Sequence, residues 1–268
     1  IVRGRRWRLA LLALASSPLA SPVLGAADTA WRAPAGVAPG DVLRVVAEGG
    51  AEVAAAELTL VGGDGEPHVR GVRFFRTAPT SWVAMAGVPS TLPPGEYAIL
   101  ASPTPGVPPL RLPLRITDRA FAELDIPLDA SLTDLRRSPE PRKAQQAREL
   151  LALLQQFDAQ ALFHHGRLRL PLTELRSTSA YGDRRRYLYA DGSEAMSIHH
   201  GVDLAAVQGV SVRAAGAGRV AMAELRIVTG NTVVIEHLPG VFSLYYHLHA
   251  MEVTVGDRVA AGAEIGTV

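Results

Sequence analysis

LRIVTGNTVVIEH (residues 225–237), VFSLYYHLHA (241–250) and MEVTVGDRVAAGAEIGTV (251–268) decide the fold. Each run is short and rich in Val, Ile or aromatic residues, and glycines punctuate the joins. That pattern reads as strands linked by tight turns. It extends upstream through LRLPL (168–172) and VSVRAAGAGRVAMA (210–223), so the chain from 159 to 268 reads as one β domain. A second β region precedes it, from 28 to 118. There VLRVVA from Val42, AAELTLV ending at Val61, VRFF ending at Phe75, WVAMA from Trp82, EYAIL from Glu96 and LRLPLRI from Leu110 recur between turn signals. Those signals are Pro39–Gly40, Gly62–Gly65, Pro93–Gly95 and Pro103–Gly106. The spacing predicts a sandwich of the immunoglobulin-like type. Residues 119–158 break the pattern. SPEPRKAQQARELLALLQQF predicts an amphipathic linker helix, with Ser138 as N-cap, prolines near the start and Leu150, Leu151, Leu153 and Leu154 within it.

Composition narrows the chemistry. The chain has 268 residues, 48% of them hydrophobic and 20% charged, with a formal net charge of +1. That balance is globular and gives no argument for nucleic acid or an anionic membrane as partner. Without cysteine there is no disulfide, thiolate zinc site or cysteine nucleophile, so any metal must be held by His, Asp or Glu. Arg3, Arg5, Arg6 and Arg8, the apolar run Leu9–Leu14 and the small residues Gly25–Ala27 have the layout of a secretory signal over 1–27. Pro18 and Pro22 interrupt it too early for a stable membrane span. Export to a periplasm or cell envelope is the expectation.

Seven of the eight histidines follow residue 159. In SIHHGVDLA, His199 and Asp203 are four apart. An extended four-residue step covers about 13 Å, whereas two zinc ligands must each bring a donor to about 2 Å from the metal. The chain must therefore bend at His200–Gly201, which glycine allows at little steric cost. Spacing alone leaves open a histidine simply hydrogen-bonded to an aspartate.

Six blocks in order carry more weight: YGDRR from Tyr181, HHGVD from His199, GVSVRAAGAGRV from Gly209, GNTVVIEH from Gly230, YYHL from Tyr245 and VTVGDRVAAGAEIGTV from Val253. This series resembles the lysostaphin-type (LytM-like) zinc metallopeptidases, which cut peptide bonds in peptidoglycan. The resemblance implies a mainly β C-terminal domain of the duplicated hybrid motif type, with Zn2+ as cofactor and peptidoglycan peptide stems as substrate. It makes His199 and Asp203 look like two metal ligands and His247 like the active-site histidine. A third ligand, from the family's terminal HLH block, is expected beyond Val268. His247–Leu248–His249 spells HLH too. Its place between Tyr245 and the VTVGD block assigns His247 to the YxHL position instead and leaves His249 exposed. Arg184 in YGDRR is a candidate to buttress the site or meet a substrate carboxylate. Tyr187 and Tyr189 are candidates for transition-state contact. His237 is expected to make structural hydrogen bonds, His200 to be exposed, and His164 and His165 to be surface residues of a turn.

The expected function is an exported zinc endopeptidase of peptidoglycan cross-links. A catalytically inactive LytM-like regulator of other wall hydrolases is the alternative. A lipoyl-type carrier is disfavoured because the sole lysine, Lys143, falls on the predicted helix rather than at a hairpin tip.

Overall fold

The computed structural model describes residues 18–24, 29–102, 108–173 and 176–268. The charged and apolar parts of the predicted leader (1–17) and its cleavage site (25–27) lie outside them. The described residues are mainly β, and they divide into two compact units at Ala120–Phe121.

The first unit is built from two five-stranded sheets. One contains Ala30–Arg32, Val42–Glu48 and Ser81–Gly87; the other contains Glu57–Val61, Gly95–Ser102 and Leu110–Ile116. LRLPLRI shows how the sequence builds it. Leu112, Leu114 and Ile116 point inward while Arg111, Pro113 and Arg115 face out, the period-two alternation of a half-buried strand. The inward residues of both sheets, among them Leu43, Val45, Leu58, Leu60, Ile99 and Trp31, share one core. Val23–Leu24, inside the predicted leader, pairs antiparallel with this sheet at Ala30 and Trp31.

The second unit begins earlier than the 159 boundary expected from sequence. Glu123–Pro127, within the supposed linker, runs parallel to Arg184–Leu188 in a three-stranded sheet completed by Glu194–Ile198. Two helices follow rather than one, Ala130–Arg137 and Pro141–Leu154. Ser138 closes the first helix instead of opening the second; Glu140 caps the second and Pro141 occupies its first turn, where a missing N–H costs nothing. Lys143 ties the two together, its Nζ donating to the Leu135 carbonyl at 2.5 Å and the Ser138 carbonyl at 3.0 Å. Among the described residues no helix is long and apolar enough to cross a membrane.

The histidine-rich blocks form a sandwich of their own. Gly218–Arg226, Gly230–Leu238 and Val241–Leu248 make an antiparallel meander, extended by Arg258–Val259. Its inner face, Val220, Val233, Ile235 and Tyr245, packs on Val212 and Ile265 of the three-stranded sheet Ser211–Arg213, Glu264–Thr267 and Ala250–Met251. LRLPL at 168–172, expected as a strand, is irregular chain. Proline at 171 withholds a ladder donor there, and Leu168 and Leu172 reach the core from it.

Candidate metal centre and active-site histidine

The chain bends at Gly201, and the bend closes the gap between His199 and Asp203. His199 Nε2 lies 3.2 Å from Asp203 Oδ1. Two donors on one tetrahedral zinc, each at about 2.0–2.1 Å, sit about 3.3 Å apart, so the pair has the right separation. The ring's other nitrogen supplies an independent check. His199 Nδ1 faces the Ala180 carbonyl at 2.9 Å, an acceptor, so Nδ1 carries the proton and Nε2 presents a lone pair toward a carboxylate oxygen. Two electron-rich atoms held face to face need a cation or an added proton between them. A backbone carbonyl behind the distal nitrogen is also how metal-binding imidazoles are commonly oriented.

Asp203 is held from behind as well. Its Oδ2 accepts from Arg185 Nη2 at 2.5 Å, leaving Oδ1 as the free donor. The same Nη2 donates to Ser179 Oγ at 2.8 Å, and Ser179 Oγ donates to Asp183 Oδ2 at 2.8 Å. Asp183, buried, also accepts from the Ala180 N–H. The backbone of His199 is fixed on both sides: its N–H donates to the Asp183 carbonyl and its carbonyl accepts from Gly182. Gly182 has φ +87, and a Cβ there would stand 2.1 Å from the Phe121 ring, so a side chain at this turn would be strained and would have to displace Phe121. The His199 side chain is 12% exposed and the Asp203 carboxylate 52%, so the pair opens to solvent on the aspartate side.

His247 sits on a different element and is displayed differently. Opposite Asn231 and Val233 the strand Val241–Leu248 carries an extra residue, because Leu248 and Tyr245 are their partners. Such bulges re-aim side chains and recur beside active sites. His247 is at the bulge with φ +58, the one non-glycine residue of positive φ among those described, and it is exposed. Among the described residues no third His, Asp or Glu joins His199 and Asp203 in a metal-holding group.

Beneath this strand runs a closed ring of hydrogen bonds. The Ala215 N–H donates to the Tyr245 hydroxyl at 2.7 Å, Tyr245 and Ser243 share a bond of 2.8 Å, Ser243 Oγ meets His237 Nε2 at 2.7 Å, and His237 Nδ1 meets the Ala217 carbonyl at 2.7 Å. A carbonyl can only accept, so His237 Nδ1 donates to Ala217. The Tyr245 hydroxyl accepts from both the Ala215 N–H and Ser243 Oγ. Burial, reinforced by neighbouring His164, lowers the His237 pKa despite the opposing Ala217 carbonyl.

His164 corrects the sequence expectation. It is buried rather than a surface turn residue, its Nδ1 accepting the Ala217 N–H at 3.2 Å. Its ring packs 6.0 Å from that of His237. His165, His200 and His249 are exposed. Arg184 points away from Asp203: its guanidinium covers the Phe121 ring at 4.6 Å and donates to the Gly182 carbonyl. Strand alternation gives the site to Arg185, which the sequence reading passed over. Tyr187 is buried under the Arg136 guanidinium at 3.7 Å, on the same strand face as Arg185; Tyr189 is partly exposed, with Arg137 5.1 Å above its ring. Ser179, Ala180 and Asp183 were also missed, since nothing in their spacing marks a carbonyl or hydroxyl as a second support.

Residues 197–268 match the profile of Peptidase family M23. Two curated relatives are similar to part of the chain. DD-carboxypeptidase/endopeptidase Mpg of Neisseria meningitidis serogroup B is 36% identical over 98 residues, and peptidoglycan DD-endopeptidase ShyC of Vibrio cholerae is 35% identical over 100. Each alignment covers 37% of this chain and 22% of the relative, so the chain spans about a fifth of their length. A crystal structure from Pseudomonas aeruginosa, assigned by name to peptidase M23, is similar in fold. Its TM-score is 0.54 at 19% identity, over 86% of this chain and 81% of that one.

Proposed function

We propose that the protein is an exported, zinc-dependent endopeptidase that hydrolyses peptide cross-links of bacterial peptidoglycan. The observation that carries this reading is the His199 Nε2–Asp203 Oδ1 pair at 3.2 Å, each partner fixed from behind through its other polar atom. The match to Peptidase family M23 and the names of the Mpg and ShyC relatives support the peptide bond of peptidoglycan as target. Export is read from the leader over 1–27.

His199 would hold the ion through Nε2 and Asp203 through Oδ1 alone, because Arg185 occupies Oδ2. The reading requires a third protein donor, which the described residues do not supply. Zinc bound there would activate water at neutral pH and polarise the scissile carbonyl. His247, exposed on its bulge, is suited to take a proton from the attacking water or pass one to the leaving amine. The exposed side of Asp203 gives an extended peptide its approach.

The test uses the intact protein, zinc and purified peptidoglycan. New amine termini without new reducing ends are expected. His199→Ala and Asp203→Ala should lose zinc and turnover together, whereas His247→Ala should lose turnover and keep zinc. Reducing ends, or full zinc occupancy in both ligand variants, would overturn the assignment. A protein that cuts nothing but stimulates a separate wall hydrolase would be a regulator.

A further inference from the structure

The helix Pro141–Leu154 lies outside the segment matched to Peptidase family M23 and carries one buried residue, Gln146. A buried carboxamide is costly unless it is bonded, and this one is. Gln146 Oε1 accepts the Ile227 N–H at 3.0 Å. The Gln146 main-chain carbonyl accepts from Arg226 Nη2. Arg226 is buried too, its Nη1 bonded to Glu224 Oε1 at 2.6 Å. One residue of the helix thus grips two consecutive residues at the mouth of the 226–230 turn.

The far side of that turn holds His247. The Thr229 carbonyl accepts the His247 N–H at 2.8 Å, and Thr229 and Thr232 join their hydroxyls at 2.8 Å. Asn231 Nδ2 then donates to the Leu248 and His249 carbonyls, each at 3.0 Å. The bulge is therefore held before His247 by Thr229 of the turn and after it by Asn231, which opens the next strand. A histidine at φ +58 persists only where its surroundings over-determine the backbone. The surroundings here are the turn, and the helix anchors the turn.

We infer that Gln146 is a positioning residue for His247, acting through the 226–230 turn to keep the left-handed bulge formed. Its bearing on catalysis rests on the proposed role of His247. The consequence is that an element upstream of the M23-matched segment controls the geometry of a group within it.

Two variants separate positioning from general destabilisation. Gln146→Met keeps length and loses the acceptor, whereas Gln146→Glu keeps an acceptor oxygen toward Ile227. The His247 amide is read by hydrogen exchange in the intact protein, beside the core amides of Val233 and Ile235. Gln146→Met should speed exchange at His247 about tenfold, the effect of one lost hydrogen bond, and leave the core amides unchanged. Gln146→Glu should restore it. With peptidoglycan, kcat should fall about as much in the Met variant while KM and zinc content hold. Unchanged His247 exchange overturns the inference, and so does a rise shared equally by Val233 and Ile235. The exchange arm needs no turnover, so a wild-type protein that cuts nothing would defeat the proposed function and leave this result to stand or fall separately.

Discussion

Removing one oxygen from the ring below the bulge should reveal how strongly it holds the C-terminal sandwich together. Tyr245→Phe keeps the ring volume, so it opens no cavity in the core shared with Val220 and Ile235. It deletes the oxygen that accepts from both Ala215 and Ser243. The Ala215 N–H is buried and would be left without its acceptor, at about 1–3 kcal/mol. Losing the Tyr245–Ser243 bond adds about 1 kcal/mol. The sum, about 2–4 kcal/mol, is a large share of a domain's stability.

Exchange of the protected amides in Gly230–Leu238 reports on this unit directly. Their opening free energy should fall by about that amount in Tyr245→Phe. Ser243→Ala should cost a similar amount, because it strands the Nε2 of fully buried His237 and removes the bond to Tyr245. The double variant should fall well short of the sum, because the ring is already broken by either change. A loss under about 0.5 kcal/mol for Tyr245→Phe, or strict additivity, would refute the reasoning that these groups act as one ring.

Three further outcomes follow from the same geometry. Because the folded state holds His237 neutral and lowers its pKa, the unfolded chain binds the extra proton first; stability should be flat above about pH 6.5 and fall below it, by up to about 1.4 kcal/mol per pH unit, and His237→Gln should flatten that slope in denaturant titrations. Gly182→Ala meets both a positive φ and the Phe121 ring; it should weaken zinc binding at least tenfold, measured by chelator competition, by shifting the backbone that carries His199. Arg185→Ala should weaken zinc binding by freeing Asp203, whereas Arg184→Ala should not; equal effects would show that strand alternation does not decide which arginine supports the site.

The sequence disclosed most of the strands and the close approach of His199 to Asp203 because both depend on local chemistry. Val, Ile and Tyr at period two build Gly230–Leu238 and Val241–Leu248 wherever they are placed, and a histidine four residues before an aspartate across a glycine can close in only a few ways. What it hid depends on partners distant in sequence. His164 became a core residue because Ala217, 53 positions later, needed an acceptor for its N–H. Glu123–Pro127 joined the C-terminal unit because Arg184–Leu188 offered it a parallel edge. Arg184 and Arg185 are chemically alike, and only the register of their strand separates them. The bulge at His247 left no mark in YYHLH, since its extra residue shows only against Asn231 and Val233.

The two candidate catalytic elements differ in how they are held, and the difference matches what each would do. His199 and Asp203 are supported by fixed charge and backbone: Arg185, the Ala180 carbonyl, and the clamp of Gly182 and Asp183 around residue 199. Those supports orient donor atoms and leave their outward lone pairs free, as a site for a divalent cation needs before the cation arrives. In small zinc modules the metal supplies much of the folding energy, but here an apolar core and a dense polar frame already exist. Among the described residues no hydrogen bond or ion pair holds the side chain of His247. Its backbone alone is constrained, by the Thr229 carbonyl and the strained bulge, and the imidazole stays exposed. A ligand must hold still, whereas a group that exchanges protons with water and a leaving amine must present its ring to both, so fixing the backbone and freeing the side chain is the arrangement that proton transfer calls for.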